Sequence, residues 1–326
     1  MGLYDMEFSY YLRPVYNYWD MVELAKHADE LKLFGAFIND HLIGLFGSEK
    51  TKPFHDSFLT LAGISQHTKH IRLGHITLLN NLRNPAHMAK MISTLDNMSN
   101  GRFEVILGGG WMKQEYEGYD LMGKGRGLPS AGRRVSMAKE SVHIFRGMLN
   151  NEHFDYEGRS WKLKDAINIP QPIQKNIRIS VGARKPRMMR IAARYCDGVN
   201  IQGHLGTIRA ALKIIEPALE NNGKKLKDYF LTGFEHTLNY VKTDKEYDEL
   251  AKKMAARGGF GTPRPTTPDY IKDNCFVGNA EALITKFRKA EDLGMKMMIV
   301  YLRPADGLVQ AKENMSWFKD NVIDQM

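Results

Sequence analysis

Residues 99–118, SNGRFEVILGGGWMKQEYEG, contain the pattern from which the fold can be predicted. The dipeptide Asn100-Gly101 is a turn signal, and the apolar run 103–107 that follows it has the composition of a buried strand. Three glycines at 108–110 come next, and because they lack a Cβ atom they let the backbone approach a flat or anionic group. Ligands of α/β folds bind beyond the carboxyl ends of strands, so we expect a ligand site here. The alternative interpretation is a glycine-rich turn with a structural Trp111.

Strands and helices alternate on both sides of this stretch. Apolar runs of strand length are followed by segments whose apolar residues have helical spacing, and no antiparallel hairpin is indicated before residue 119. The predicted strands, about eight in all, lie at 6–12, 36–39, 71–79, 103–107, 177–181, 199–201, 230–241 and 295–302. This is the strand count of a (β/α)8 TIM barrel, which we predict as one domain over residues 1–326. No dinucleotide-binding fingerprint follows the first strand to favour a doubly wound sheet.

Residues 119–170 interrupt the alternation. Several glycines and Pro129 lie near the start of this segment, a helix is predicted around 133–149, and a short β-type excursion follows near 153–161. We therefore predict an insertion after the fourth strand. An insertion at the carboxyl-end face of the barrel could form a lid over the site.

The composition is that of a globular protein without a membrane span or a metal site. Of the 326 residues 43% are hydrophobic, and no run approaches 18 apolar residues, so no transmembrane helix and no membrane partner are predicted. The amino terminus lacks the pattern of a secretory signal. Two cysteines, Cys196 and Cys275, are too few for a disulfide framework and lack the spacing of metal ligands. So few cysteines favour a reducing, cytoplasmic location. No HExxH or related cluster occurs, so we predict no metal site.

The formal net charge of +9 is the one unusual bulk property. Nucleic-acid binding is not predicted, because the Lys and Arg residues are scattered instead of forming a stripe with interleaved aromatic residues. A solvated basic surface that helps an anionic ligand to arrive is the preferred interpretation.

Three further segments follow predicted strands and carry candidate chemistry. Asp40-His41 ends the second strand, where a carboxylate and an imidazole can bind a polar ligand edge and transfer a proton near neutral pH. The alternative is an Asp that caps the segment after it and a His whose hydrogen bonds are made by the backbone. Residues 182–187, GARKPR, join a predicted strand to a predicted helix, and Arg184 or Lys185 with the backbone N–H groups is predicted to form a phosphate-binding site. The alternative is a solvated basic turn. Arg303, after the last strand, is a third cation predicted on the same face.

Several stretches match the motifs of one superfamily when they are taken together. They are 39–42 (NDHL), 71–74 (IRLG), 82–85 (LRNP), 93–103 (STLDNMSNGRF), 108–115 (GGGWMKQE), 181–182 (VG) and 192–198 (AARYCDG). With these motifs the chain resembles the bacterial-luciferase-like superfamily of flavin- and deazaflavin-dependent oxidoreductases. The resemblance covers most of the chain and is weak over 119–170 and 206–276.

The resemblance implies a TIM barrel with a flavin or deazaflavin ring in its mouth. The Asp40-His41 strand end is more typical of the branch that uses coenzyme F420, in which the residue matching His41 is a proposed proton donor or acceptor. The implied cofactor-binding residues are Asp40, Ile76, Thr77, Asn80, Gly109, Gly110, Gly182, Ala183, Arg184 and Met188. The third strand of this superfamily often contains a non-prolyl cis peptide, here expected within residues 74–77.

Two departures from family patterns leave the substrate open. The glucose-6-phosphate dehydrogenase branch has a Glu where this chain has Trp111, and the methanopterin reductases have a Glu where Tyr11 falls. The resemblance thus implies an F420-dependent oxidoreductase that transfers a hydride between deazaflavin C5 and a small organic substrate. An FMN-dependent monooxygenase and a non-catalytic flavin- or deazaflavin-binding protein are the alternatives. The family also implies a homodimer or a higher homo-oligomer.

Overall fold

The computed structural model describes residues 6–44, 51–235, 238–257, 267–303 and 306–326. Helices and strands alternate through most of this length. In chain order they are β1 (Glu7–Leu12), α1 (Tyr18–Glu30), β2 (Gly35–Ile38), α2 (Ser57–Ser65), β3 (Arg72–His75), β4 (Leu78–Leu79), α3 (Pro85–Met98), β5 (Phe103–Gly108), α4 (Lys113–Gly118), α5 (Ala131–Met148), β6 (His153–Glu157), β7 (Lys162–Ile167), β8 (Ile179–Gly182), α6 (Pro186–Tyr195), β9 (Gly198–Gln202), α7 (Leu205–Glu220), β10 (Phe230–Glu235), β11 (Asn239–Tyr240), α8 (Asp244–Arg257), α9 (Pro268–Asn274), β12 (Val277–Gly278), α10 (Ala280–Asp292), β13 (Met297–Val300) and α11 (Leu308–Asn321).

The main sheet closes on itself to form a parallel barrel. Its order is β1, β2, β3 with β4, β5, β8, β9, β10 and β13, and β13 pairs in parallel with β1. Because β3 and β4 both pair with β5, they occupy one position, and the barrel has eight. The prediction of a (β/α)8 TIM barrel is confirmed.

Alternation along β1 separates the inside of the barrel from the layer of helices. Phe8 packs edge-to-face against Phe287 of α10 and Phe318 of α11, with ring centroids 4.9 and 5.6 Å apart. Side chains of a strand point alternately to opposite faces, so Phe8 faces the helices and Tyr11 faces the barrel interior. Tyr11 reaches the interior at the carboxyl end of β1.

The predicted third strand, 71–79, is interrupted in the middle. β3 ends at His75, β4 begins at Leu78, and the peptide bond between Ile76 and Thr77 is cis. The cis peptide that the family resemblance implied is therefore present within residues 74–77. Beyond β4, Asn84 accepts a hydrogen bond from the N–H of Ala86 at 2.8 Å and begins α3.

The segment 119–170 is divided between the two ends of the barrel. α5 packs between α3 and α6 as one of the barrel helices. The hairpin β6–β7 follows α5 and precedes β8, and a connection from a helix to the next strand lies at the amino-terminal end of a parallel barrel. In agreement, the segment that follows the hairpin lies at this end, because a Cβ atom on Gly101, two residues before β5, would lie 3.4 Å from Ile173 Cγ2. The interpretation of this hairpin as a lid is wrong, and only the stretch next to α4 lies at the carboxyl end.

Both cysteines, Cys196 and Cys275, are free and buried. Burial raises the pKa of each thiol to about 12, so the nucleophilic thiolate is disfavoured. Within the described ranges no helix is long and apolar enough to cross a membrane.

Candidate active site

His41 follows β2 and forms a buried pair with Glu115 of α4. Its Nδ1 atom lies 2.9 Å from Glu115 Oε2, and the other carboxyl oxygen accepts the backbone N–H of Leu42 at 2.6 Å. Glu115 is fully buried, and 8% of the surface of His41 is exposed. The indole of Trp111 contacts the imidazole edge-to-face at 5.7 Å. The ring of His41 is thus fixed on two sides.

The pair determines which nitrogen of His41 is available for chemistry. A carboxylate can only accept hydrogen bonds, so the hydrogen of the neutral imidazole lies on Nδ1 and points at Glu115. Nε2 then carries the lone pair and can accept a proton from a bound ligand or return it. This is the arrangement by which a carboxylate orients a general-base histidine.

Replacing Glu115 with glutamine is expected to move the imidazole hydrogen to Nε2. The backbone N–H of Leu42 would continue to donate its hydrogen bond to the side-chain oxygen of the new glutamine. The side-chain NH₂ group would then face Nδ1 of His41, and Nδ1 would have to accept a hydrogen bond from it. The ¹⁵N chemical shifts of His41 would report the change of tautomer without any activity assay. Glu117→Gln, an exposed position on the same helix, serves as the control. An unchanged His41 tautomer in Glu115→Gln would contradict the assignment.

Asp40, next to His41, is fully enclosed by hydrogen-bond donors. One oxygen accepts from Ser57 Oγ at 2.5 Å and from Arg83 Nη1 at 3.0 Å, and the other accepts from the N–H of Leu79 at 3.0 Å and from the same Arg83 nitrogen at 2.8 Å. These bonds use the roughly four acceptor positions of a carboxylate. Asp40 therefore ties β2 to β4 and α2, and a direct contact with a cofactor would have to replace one of these bonds.

Burial and charge act in opposite directions in this network. Burial raises the pKa of Asp40, and the charge of Arg83 opposes that rise. Burial lowers the pKa of Arg83, but the charges of Asp40 and Asp56 outweigh it and raise the pKa overall. His75, whose Nε2 lies 3.0 Å from Ser57 Oγ, has its pKa lowered to about 3 by burial and by Arg83. His75 is thus neutral at physiological pH and has a structural role.

Glycines allow three strand ends to approach each other beside this network. A Cβ atom on Gly108 would collide with Thr77 Oγ1, and one on Gly182 would lie 2.8 Å from Thr77 Cγ2. Gly110 has a φ of +71°, and a Cβ there would collide with the hydroxyl of Tyr116. Thr77 thus packs over both glycines, and the ends of β5 and β8 meet at the cis peptide.

The residues at these strand ends fit a flat cofactor with an anionic tail. A Cβ atom on Gly109 would meet only Met188 Cε, at 3.7 Å, and Gly109 is partly exposed. Asn80 is buried, and its Oδ1 atom has no hydrogen-bond partner among the described atoms. Lys185 is the N-cap residue of α6 and makes no side-chain cap bond, and its carbonyl accepts the N–H groups of Met188 and Met189. Pro186 has no N–H, so the N–H of Arg187 is the backbone donor of this first turn that could bind an anion beside the exposed Arg184.

Most of the residues predicted from the sequence lie along one continuous arc of the rim. The arc follows the ends of β2, β4, β5 and β8 and the start of α6, and it contains Asp40, His41, Ile76, Thr77, Asn80, Gly109, Gly110, Gly182, Ala183, Arg184 and Met188. Arg303 does not belong to it, because it follows β13, three positions from β8 in the barrel order. Arg303 does lie on the same carboxyl-end face of the barrel as Arg184, as predicted, but three strand positions away from it.

Sequence reasoning missed the partners of the two central residues. Glu115 lies within the 108–115 match, and Arg83 lies within the 82–85 match, but neither was identified as a site residue. The motifs themselves were the available signal. The motifs do not reveal that Glu115 pairs with His41 or that Arg83 forms an ion pair with Asp40.

Comparison with protein families places the whole barrel within one family. A family model described as luciferase-like monooxygenase matches residues 6–302. Among curated proteins, pyrimidine monooxygenase RutA of Serratia proteamaculans (strain 568) is 31% identical over 183 residues, which are 54% of this chain and 48% of the relative. RutA of Yersinia enterocolitica is 29% identical over 204 residues, 60% of this chain and 51% of the relative. The chain thus spans about half the length of these relatives.

Solved structures confirm the fold. An F420-dependent secondary alcohol dehydrogenase in complex with an F420–acetone adduct superposes with a TM-score of 0.78 at 18% identity, covering 98% of each chain. The monooxygenase RslO1 from Streptomyces bottropensis superposes with a TM-score of 0.76 at 17% identity, covering 98% of this chain and 99% of the other. At these identities the likeness concerns the fold alone.

Proposed function

The chain belongs to the luciferase-like monooxygenase family, and we propose that it is an FMN-dependent monooxygenase that oxidises a small organic substrate. The observation that carries this proposal is the sequence identity to pyrimidine monooxygenases. The buried His41–Glu115 pair at the end of β2 supports a catalytic protein over a protein that only binds a cofactor, because the carboxylate holds Nδ1 and leaves Nε2 of His41 as a base.

Each part of the rim has a distinct task in this reaction. Reduced FMN, when bound, would supply the electrons and activate oxygen. Gly109, Gly110 and Met188 would contact the ring, and Arg184 with the first turn of α6 would bind the phosphate. His41 Nε2 would accept a proton from the substrate or donate one to it. The buried rim would exclude water from the reacting atoms.

An F420-dependent oxidoreductase is the second candidate. The observation that favours it is the Asp40-His41 end of β2, which in the family resemblance is more typical of the F420 branch. The curated relatives favour the FMN monooxygenase over this candidate, because they are named monooxygenases.

Parallel titrations with FMN and F420 test the proposal. We expect the protein to bind FMN and to bind F420 much more weakly, as measured by quenching of cofactor fluorescence. Arg184→Gln is expected to weaken FMN binding by roughly tenfold or more, because it removes a charged hydrogen-bond donor. Arg190→Gln, an exposed arginine on the outer face of α6, should leave the affinity unchanged. Tight F420 binding without FMN binding would favour the second candidate, and binding of neither would contradict both.

A further inference from the structure

A groove of about 630 Å³ lies between α6 and α7, on the outer surface of the barrel. Three cationic side chains line it, together with an apolar strip on α7: Arg190, Arg194 and Lys213, then Ile214, Pro217 and Ala218. No carboxylate is among the described residues that line the groove. Its volume lies within the range of small-molecule sites, and its charge indicates an anionic ligand.

The three cations lack a countercharge. Arg190 and Arg194 are exposed and lie four residues apart on α6, so they are neighbours on one face of the helix and their like charges repel. Lys213 of α7 is also exposed and lines the same groove. Among the residues that the structure describes, no carboxylate forms an ion pair with any of the three, although Glu216 lies three residues after Lys213. An anion bound in the groove would relieve this repulsion.

The α7 wall of the groove combines an apolar strip with amide groups. Ile214, Pro217 and Ala218 have the spacing of one helix face, and Asn221 and Asn222 follow them at the end of α7. The side chain of Asn222 donates a hydrogen bond from Nδ2 to the carbonyl oxygen of Ala218 at 2.7 Å. A flat ring can pack against the apolar strip, and side-chain amides offer both donors and acceptors to its polar edge.

The groove is separate from the proposed cofactor site. α6 begins at Pro186, close to the rim, and runs back toward the amino-terminal end of the barrel, as helices of this fold do. At 1.5 Å per residue, Arg194 lies roughly 12 Å along the helix from Pro186. Arg187, nearer to the rim, donates hydrogen bonds to the carbonyl oxygen of Gly132 and to Oγ of Ser136, both on α5. Arg187 therefore points away from the groove.

We propose that the groove between α6 and α7 binds a nucleoside diphosphate. Such a ligand carries about three negative charges near neutral pH, because its terminal phosphate is nearly doubly ionised. The diphosphate lies among Arg190, Arg194 and Lys213, since guanidinium groups match phosphate oxygens in geometry and Lys adds a point charge. The base packs against the apolar strip. A single phosphate leaves part of the positive charge uncompensated, so FMN binds here much more weakly. This site does not depend on the proposed function.

Calorimetric titrations of the protein with ADP, AMP, adenosine and pyrophosphate, with and without FMN, test the site. We expect ADP to bind roughly tenfold tighter or more than each of the other three. AMP and adenosine lack part or all of the diphosphate, and pyrophosphate lacks the ring. Pyrophosphate binding as tightly as ADP would overturn the proposal, because the groove would then be a general anion site. Absence of ADP binding at millimolar concentrations would also overturn it.

Single variants locate the bound nucleotide. Arg190→Gln and Arg194→Gln change exposed side chains, and each is expected to weaken ADP binding by roughly tenfold or more while FMN affinity stays unchanged. Arg133→Gln, an exposed arginine on α5, is the matched control and should leave ADP affinity unchanged. Arg184→Gln should also leave it unchanged, and a loss of ADP binding in that variant would place the nucleotide at the rim and overturn the proposal. If FMN does not bind but ADP binds and depends on Arg194, the proposed function fails and the groove site stands.

Discussion

Replacing His41 with alanine is expected to lower turnover by roughly 10²- to 10⁴-fold, the usual contribution of a general acid or base. FMN affinity should be unchanged, because the imidazole acts on the substrate proton and the ring contacts lie on β5, β8 and α6. The measurement is the formation of ¹⁸O-labelled product from uracil or orotate when the protein is mixed with reduced FMN and ¹⁸O₂. Fluorescence titration of FMN into the same variant checks the affinity.

Two further variants test whether the loss of turnover is specific to His41 and its tautomer. Glu115→Gln should also lower turnover, because the shifted tautomer leaves Nε2 with a hydrogen in place of a lone pair. His87→Ala, an exposed histidine on α3, should retain full activity. Native turnover in His41→Ala would remove this residue from the mechanism. Loss of FMN binding in that variant would instead place His41 in the cofactor site.

The barrel could be predicted from the sequence because its signals are local. The run 103–107 followed by glycines predicted the strand that the structure shows at Phe103–Gly108, and the predicted helix at 280–292 matches α10. Strand ends of a parallel barrel meet at one rim by topology alone, so Asp40, Gly109 and Ala183 could be placed on the same face.

Side-chain partners could not be predicted because they depend on packing between distant segments. His41 and Glu115 are 74 residues apart, and Asp40 and Arg83 are 43 apart. The hairpin β6–β7 was misplaced for a related reason. Its sequence shows strands and turns, but whether it lies above or below the barrel depends on α5 being one of the barrel helices.

The Asp40–Arg83 pair stabilises the shape of the site, and disrupting the pair is expected to lower the stability of the protein. The side chain of Asp40 is 1% exposed and that of Arg83 is 13% exposed. Removing Arg83 leaves the buried Asp40 carboxylate without a countercharge, whereas neutralising Asp40 leaves Arg83 its second ion pair, with Asp56 at 3.0 Å. Arg83→Met is expected to lower the free energy of unfolding by about 3–5 kcal/mol. Asp40→Asn is expected to lower it by less, because Asp56 still compensates the charge of Arg83. Urea-induced unfolding of the single variants measures this loss.

A double-variant cycle distinguishes the pair from a general packing effect. Asp40→Asn combined with Arg83→Met should cost less than the sum of the single changes, because the neutral pair leaves no unpaired charge. The control is Arg146→Met, which breaks an ion pair with Asp197 whose side chains are 36% and 42% exposed, and it is expected to cost no more than about 1 kcal/mol. If the effects of the two single changes are additive and as small as that of the control, the pair contributes little to stability and Asp40 is available to bind a ligand. Strong coupling would show instead that Asp40 holds β2 in place so that His41 is presented to the mouth of the barrel.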